Sequence, residues 1–385
     1  MKTNRLFWWT PFVVLALVVF ASAFLPALAQ DEDDAEEAGL GDLYAEIEAW
    51  VAQPAGLDYF PATETDPQDP FNTQLLTFPT GTSTELRYRA GFELSGNRGG
   101  FILTWFAHED RGEMTRATPG DYVFGETLVH PFLAGYHNDG LADGFDATAS
   151  TDLSDLRIDY YRTAFKTASV EAKWFVGWRR VSHRRTVEAS YFGLIDDLPP
   201  LTSRPDLAPG VDTAYMDSNF DGRGVGAGMD FLMPLWQDKI SFEGGFNLAV
   251  LRSKTDAVYR STTYAYTIFI DPDTLILEPP YDFDGTVNDV PAIDLIAQEA
   301  YEIGLVANNV SSTGNVLEGY VGLRWKAWRG LDVYGGFRST RYDDVGVDLR
   351  PKGNSLYAGV NVQDITEVDR SATYEGFYAG LAYRF

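Results

Sequence analysis

Cysteine is absent from the sequence, which removes disulfides, thiolate metal sites and cysteine nucleophiles from consideration. Histidine is almost as scarce, with only His108, His130, His137 and His183. Basic residues are in deficit, 30 against 56 acidic ones, for a formal net charge of −26. Nucleic acid is therefore excluded as a partner, because phosphate binding needs a basic footprint. No apolar run after the first 25 residues is long enough for a membrane-spanning helix, and a mean hydropathy of −0.18 agrees. Walker, H-E-x-x-H and G-x-S-x-G motifs are also missing. What the chain does have is 45% hydrophobic residues, 14% aromatics and 36 glycines in 385 residues. That is too apolar for an acidic disordered protein and fits a sheet-based one.

The first residues give the compartment. Lys2 and Arg5 precede an apolar run from Phe7 to Leu25, and Ala27-Leu28-Ala29 forms an A-x-A site. This predicts a secretory signal peptide over 1–29, cleaved near Ala29 and Gln30, with an uncleaved anchor as the alternative. An acidic segment, 30–40, follows, and 41–385 is the folded part. Export leaves a soluble protein or a barrel in an outer membrane.

From Leu43 onward the chain alternates with period two. Leu317, Gly319, Val321, Leu323, Trp325 and Ala327 share one face, while Glu318, Tyr320, Gly322, Arg324 and Lys326 share the other. No helix separates residues this way. Leu86 to Leu94, Val170 to Arg179, Ile240 to Val250 and Leu331 to Arg338 repeat the pattern. Short connections near 95–100, 165–168, 235–238 and 329–330 alternate with long polar stretches at 109–155, 182–218, 257–314 and 343–372. Short turns on one side and long loops on the other describe an all-β, antiparallel up-and-down transmembrane barrel with long extracellular loops. A soluble sandwich would not gather its long loops at one end.

The last strand is the most specific feature. Phe377, Ala379, Leu381, Tyr383 and the terminal Phe385 alternate with Gly376, Tyr378, Gly380, Ala382 and Arg384. This ending resembles the assembly signal of bacterial outer-membrane barrels, with Phe377, Leu381, Tyr383 and Phe385 as its residues. The resemblance implies barrel-assembly machinery and periplasmic chaperones as partners, with outer-membrane lipid and lipopolysaccharide around the inserted protein. Counting back gives nine strands by pattern, and an even number is expected, so about ten is the estimate and about twelve the alternative. Segment 41–53 supplies the tenth strand, although Leu43, Ile47, Trp50 and Val51 also sit at helical spacing. The stretch 259–270 either extends a hairpin above the membrane or adds strands.

The run EIEAWVAQPAGLDY from Glu46 to Tyr59 is similar to the first-strand region of the pore-forming major outer-membrane protein family. SNFDGRGVGAGMD, from Ser218 to Asp230, resembles that family's Gly-rich central strand. The resemblance covers most of the mature chain through degenerate motifs. It implies a pore-forming barrel and favours 41–53 as a strand.

Parity places Arg87, Arg89, Arg157, Lys173, Arg179, Arg324, Lys326, Arg338 and Arg384 inside, with Glu93, Asp159, Glu171, Asp230, Glu243, Glu318 and Asp332. Charges in a lumen must pair or be wet. These residues either line a small, weakly selective passive pore for small solutes or zip the interior shut. In the second case the barrel is structural, and its extracellular loops do the work. No enzyme chemistry is expected, because a barrel phospholipase needs a Ser-His pair on the lipid face, whereas His108 falls on the lumen side. No cofactor is expected either. Asp217-Ser-Asn-Phe-Asp221-Gly222 matches half of a calcium loop, but Gly228 stands where a bidentate Glu should close it, so an acidic turn is expected there. Acidic residues crowd 271–302 and 343–369, which would attract cations to the outer mouth or hold divalent cations against lipopolysaccharide.

Overall fold

Alternation of apolar and polar side chains becomes geometry in the computed structural model, which describes residues 40–55, 62–66, 69–76, 83–94, 98–117, 122–124, 141–142, 144–192, 207–236, 239–269, 294–351, 365–369 and 371–385. In chain order the strands are β1 (Leu40–Ala55), β2 (Ala62–Asp66), β3 (Asp69–Leu76), β4 (Ser83–Leu94), β5 (Gly100–Ala117), β6 (Tyr122–Phe124), β7 (Leu141–Ala142) and β8 (Gly144–Lys166). There follow β9 (Glu171–Phe192), β10 (Leu207–Trp236), β11 (Ile240–Phe269), β12 (Asp294–Trp328), β13 (Leu331–Asp343), β14 (Val347–Pro351), β15 (Ile365–Asp369) and β16 (Ala372–Arg384).

Ten of these close into one antiparallel barrel, in the order β1-β16-β13-β12-β11-β10-β9-β8-β5-β4. The seam is β1 against β16, from Tyr44 opposite Arg384 to Ala55 opposite Thr373. Segment 41–53 is therefore strand. Its helical spacing loses because β1 pairs on both sides, and closure removes the unpaired edges. Of the stretch 259–270, residues 259–269 lengthen β11 and add no strand to the barrel. Small sheets β3-β2-β6-β7 and β14-β15 lie in the outer connections.

The short turns fall where the pattern put them. Leu94 N–H donates to Gly99 O at 2.7 Å, Thr167 N–H to Val170 O at 2.8 Å and Lys239 N–H to Trp236 O at 2.8 Å. Gly330, at φ 75°, makes the β12–β13 turn in the left-handed region that glycine tolerates. At the other end the long connections are shorter than the pattern suggests. Much of 109–155, 182–218 and 257–314 is strand, since β5 runs to Ala117, β9 to Phe192, β11 to Phe269 and β12 starts at Asp294. These extensions present polar residues on both faces, so hydrophobic alternation fades while backbone pairing continues.

The two faces differ as in a barrel placed in lipid. Outward side chains form an apolar band that includes Val225, Leu248, Val250, Leu317, Val321, Leu323 and Phe377, with Val225 67% and Phe377 72% exposed. Trp236, Trp325, Trp328, Tyr383 and Phe385 edge it at the short-turn end. A continuous apolar band of this kind would be costly in water. Its upper limit is the row Arg180–Arg223–Arg252, set side by side on β9, β10 and β11.

Candidate functional site

The inward faces meet in a charged cluster at the barrel's waist. Glu318 on β12 is the hub: its Oε1 accepts from Arg87 Nη1 at 2.7 Å and from Arg338 Nη1. Its Oε2 accepts from Arg157 Nη1 at 3.3 Å and lies 3.6 Å from Arg179 Nη2. Three of these arginines have a second anion. Arg157 Nε lies 2.6 Å from Asp159, Arg179 Nε donates to Asp155 at 2.9 Å, and Arg338 Nη2 donates to Glu48 at 3.0 Å. Arg179 also reaches Asn247 at 2.9 Å, and the Tyr342 hydroxyl donates to Asp155 at 2.8 Å. The planar guanidinium fork suits such shared carboxylates.

A second layer lies toward the short-turn end. Arg324 donates to Glu243 at 2.7 Å and lies 3.4 Å from both Glu46 and Asp332. Arg89 meets Glu46 at 3.1 Å, and Tyr320 donates to Asp230 at 2.9 Å. Arg338 sits 4.9 Å from the Tyr320 ring and 5.0 Å from the Tyr378 ring, and Arg324 lies 4.6 Å from the ring of Tyr334. These cation–π contacts fill the space between salt bridges.

Above the waist, apolar and aromatic side chains share the lumen with buried His108, His183 and Arg185. Trp50 and Phe106 pack at 5.1 Å between ring centroids and Tyr342 and Tyr374 at 5.9 Å, beside buried Val181, Phe220, Leu251 and Val345. Two gaps at the waist measure about 10 Å³ each, room for about one water.

The parity assignment puts most of the charged residues where expected. Arg87, Arg157, Asp159, Arg179, Glu243, Glu318 and Arg338 are buried, while Arg89, Glu93, Asp230, Arg324 and Asp332 are half-buried. Glu171 and Lys173 sit near the short-turn end, 3.4 Å apart, with Lys166 also 3.0 Å from Glu171. Lys326 and Arg384 are exposed at the rim, at or within two residues of the strand ends, and Arg384 reaches the network only through its charge on Glu46. Glu46, Glu48 and Asp155 complete the network and are absent from the parity list. The alternation of β1, with Tyr44, Glu46, Glu48 and Trp50 on one face, is the signal that finds the first two.

The positions the motifs single out have other partners in the structure. Asp217 and Asp221 lie mid-strand in β10 and not in a turn, because pairing with both β9 and β11 continues straight through them. They face outward and bind Arg184 at 2.9 Å and Arg180 at 3.0 Å. Among the described residues no group of three metal-ligating side chains forms. His108 Nδ1 is 3.3 Å from Ser83 Oγ and 3.0 Å from Glu85 Oε1. Both contacts fall on one nitrogen, whereas a nucleophile–base–orienter relay needs both. His183, three residues past Arg180 and above the apolar band, places Nδ1 2.9 Å from Val345 O. Burial, then the Arg185 charge, holds its pKa down at about 3. His130, His137, the acidic positions 271–289 and the signal segment 1–29 lie outside the described residues.

No family model and no curated protein matches the chain. Among solved structures it is similar to the outer membrane protease OmpT of Escherichia coli, at 12% identity over 89% of this chain and 97% of that one, with a TM-score of 0.43. The toluene transporter TodX of Pseudomonas putida is similar at 10% identity over 89% of each chain, TM-score 0.29. A major outer membrane protein from Thermus thermophilus shows 12% identity over 89% of this chain and 99% of that one, TM-score 0.27. All three scores are low, and the barrel rests on its own strand pairing.

Proposed function

We propose that this chain is an outer-membrane β-barrel closed across its waist, which works through its extended outer end and not as an open diffusion pore. The observation that carries this reading is the Glu318 hub, where Arg87, Arg157, Arg179 and Arg338 converge from four strands and leave gaps of about 10 Å³. Opening a path would pull arginines from their carboxylates, and breaking one buried pair costs about 3–5 kcal/mol. Membrane residence is supported by the outward apolar band, its aromatic edge and the complete hydrogen bonding of a closed sheet. The strands outlast the band: β9 continues from Arg180 to Phe192 and β10 begins at Leu207, sixteen residues before Arg223 in sequence. A rigid platform above the outer leaflet results, which suits contact with surface partners.

Liposome swelling tests the reading. Vesicles loaded with the folded barrel should swell in small sugars no faster than protein-free vesicles. Swelling at the rate of an open porin would overturn it and restore the small passive pore.

A further inference from the structure

Three arginines stand in one row on the outer face: Arg180 is in register with Arg223, and Arg223 with Arg252. All three are exposed. Like charges directly opposite on neighbouring strands repel, so the row costs stability unless an anion lies over it. Asp221 offsets part of the charge, meeting Arg180 Nε at 3.0 Å and Arg223 Nη2 at 3.1 Å. Nearby, Asp217 takes Arg184, Asp256 accepts from the Asn309 N–H, and Lys254 reaches the Asn309 side chain. Arg252 has no ion pair or hydrogen bond among the described residues. In a chain of net charge −26, the acids supplied to this patch leave it basic.

What lies beneath the row defines the ligand. The next outward residues are Trp178, Val225 and Val250, the top of the apolar band. An open groove of about 420 Å³ runs between Arg223 and Arg252 over Val225 and Val250, with Ser311 and Thr313 on β12 as its far wall. One end of this groove is cationic, one wall carries hydroxyls, and the apolar floor continues into the surface that faces lipid. Free phosphate would use only the upper part. A phosphorylated lipid would use all of it: phosphate on the guanidinium forks, head-group hydroxyls near Ser311 and Thr313, an acyl chain along Val225 and Val250.

We propose that this groove binds a phosphorylated lipid of the outer leaflet, with Arg223 and Arg252 as the phosphate-holding residues and Arg180 flanking them. The leaflet follows from the row lying at the band's edge away from the short turns. The inference rests on the membrane reading above.

The test uses the full barrel in phosphatidylcholine nanodiscs, with lipid A as probe and inorganic phosphate as comparison. Lipid A should raise the unfolding midpoint of the wild type, and the paired variant Arg223→Gln, Arg252→Gln should bind lipid A at least about tenfold more weakly. That variant should still migrate as a folded barrel, and Arg111→Gln, which removes an exposed arginine on β5, should keep the full response. An equal lipid A response in wild type and paired variant overturns the proposal. So does an equal shift with inorganic phosphate alone, which would make the row a simple anion site. A wild type that never enters neutral nanodiscs instead defeats the membrane reading, so the two failures are separable.

Discussion

Arg87 on β4 and Glu318 on β12 stand 231 residues apart in the chain, yet Nη1 of one lies 2.7 Å from Oε1 of the other, across the barrel lumen. The contact is a strut between two walls, and three further arginines share its carboxylate. Glu318→Ala would leave those cations with lost or weakened compensation. The variant should lose about 3–5 kcal/mol of stability, read as a lower urea midpoint of the inserted barrel. Glu318→Gln should fall between wild type and Glu318→Ala, because its amide oxygen still accepts one hydrogen bond. An unchanged midpoint in Glu318→Ala would show that the hub is wet and energetically idle.

Leu323 points outward into the apolar band, 53% exposed. Arginine there should cost about 2–4 kcal/mol, as at a bilayer midplane. Its neighbour Gly322 is no neutral control. A Cβ at that position would come 2.5 Å from Gly335 O and from the Tyr378 hydroxyl. Tyr320 is unsuitable too, since it binds Asp230. Thr186, outward on β9 and above the band, is the fair comparison, and Thr186→Arg should leave the midpoint within about 0.5 kcal/mol of wild type. Equal losses at the two sites would mean that the band does not face lipid.

Tyr383 and Phe385 pack edge to face at 4.9 Å on the outer surface, and the Phe385 N–H donates to Leu43 O at 2.9 Å. The end of the chain is thus part of the barrel seam. Replacing both aromatics with serine should leave little heat-modifiable protein in the outer membrane, measured by gel shift of membrane fractions. Wild-type amounts would remove these residues from assembly.

His183 binds a proton less readily in the folded chain than in the unfolded one, because burial and Arg185 hold its pKa down at about 3. Its contribution is complete above the ordinary histidine value near 6.5 and declines as pH falls toward 3, by about 1.4 kcal/mol per pH unit. His183→Gln keeps a donor for Val345 O without a titrating ring. The stability gap between wild type and this variant should therefore shift against wild type between pH 6.5 and pH 4.5, followed by urea midpoints. A gap independent of pH would contradict the assignment of a neutral, buried imidazole.

Face and topology were legible in the sequence wherever one face met lipid. Along β9, Trp174, Val176 and Trp178 alternate with Lys173, Phe175 and Arg179, and that contrast alone orients the strand. Past Arg180 the outward residues become Ser182, Arg184, Thr186 and Glu188 while Val181, His183 and Arg185 turn inward. The outward face is then polar and the inward face mixed, so the strand reads as loop although its hydrogen bonds continue. Parity likewise assigns Glu318 and Arg338 to the interior but carries no information on height. Which charges meet depends on strand tilt and register around the whole barrel, so the hub emerges only in three dimensions. Glu46 and Glu48 were hidden for a different reason: their segment satisfies helical and strand spacing alike, and the pairing of β1 with β16 and β4 decides it.

Single-channel recording in planar bilayers tests the closed waist most directly. The inserted wild-type barrel, verified as folded by gel shift, should give a flat trace without discrete steps at either polarity. Regular, ohmic steps from the wild type would show that the Glu318 network leaves a conducting path, and would contradict the account.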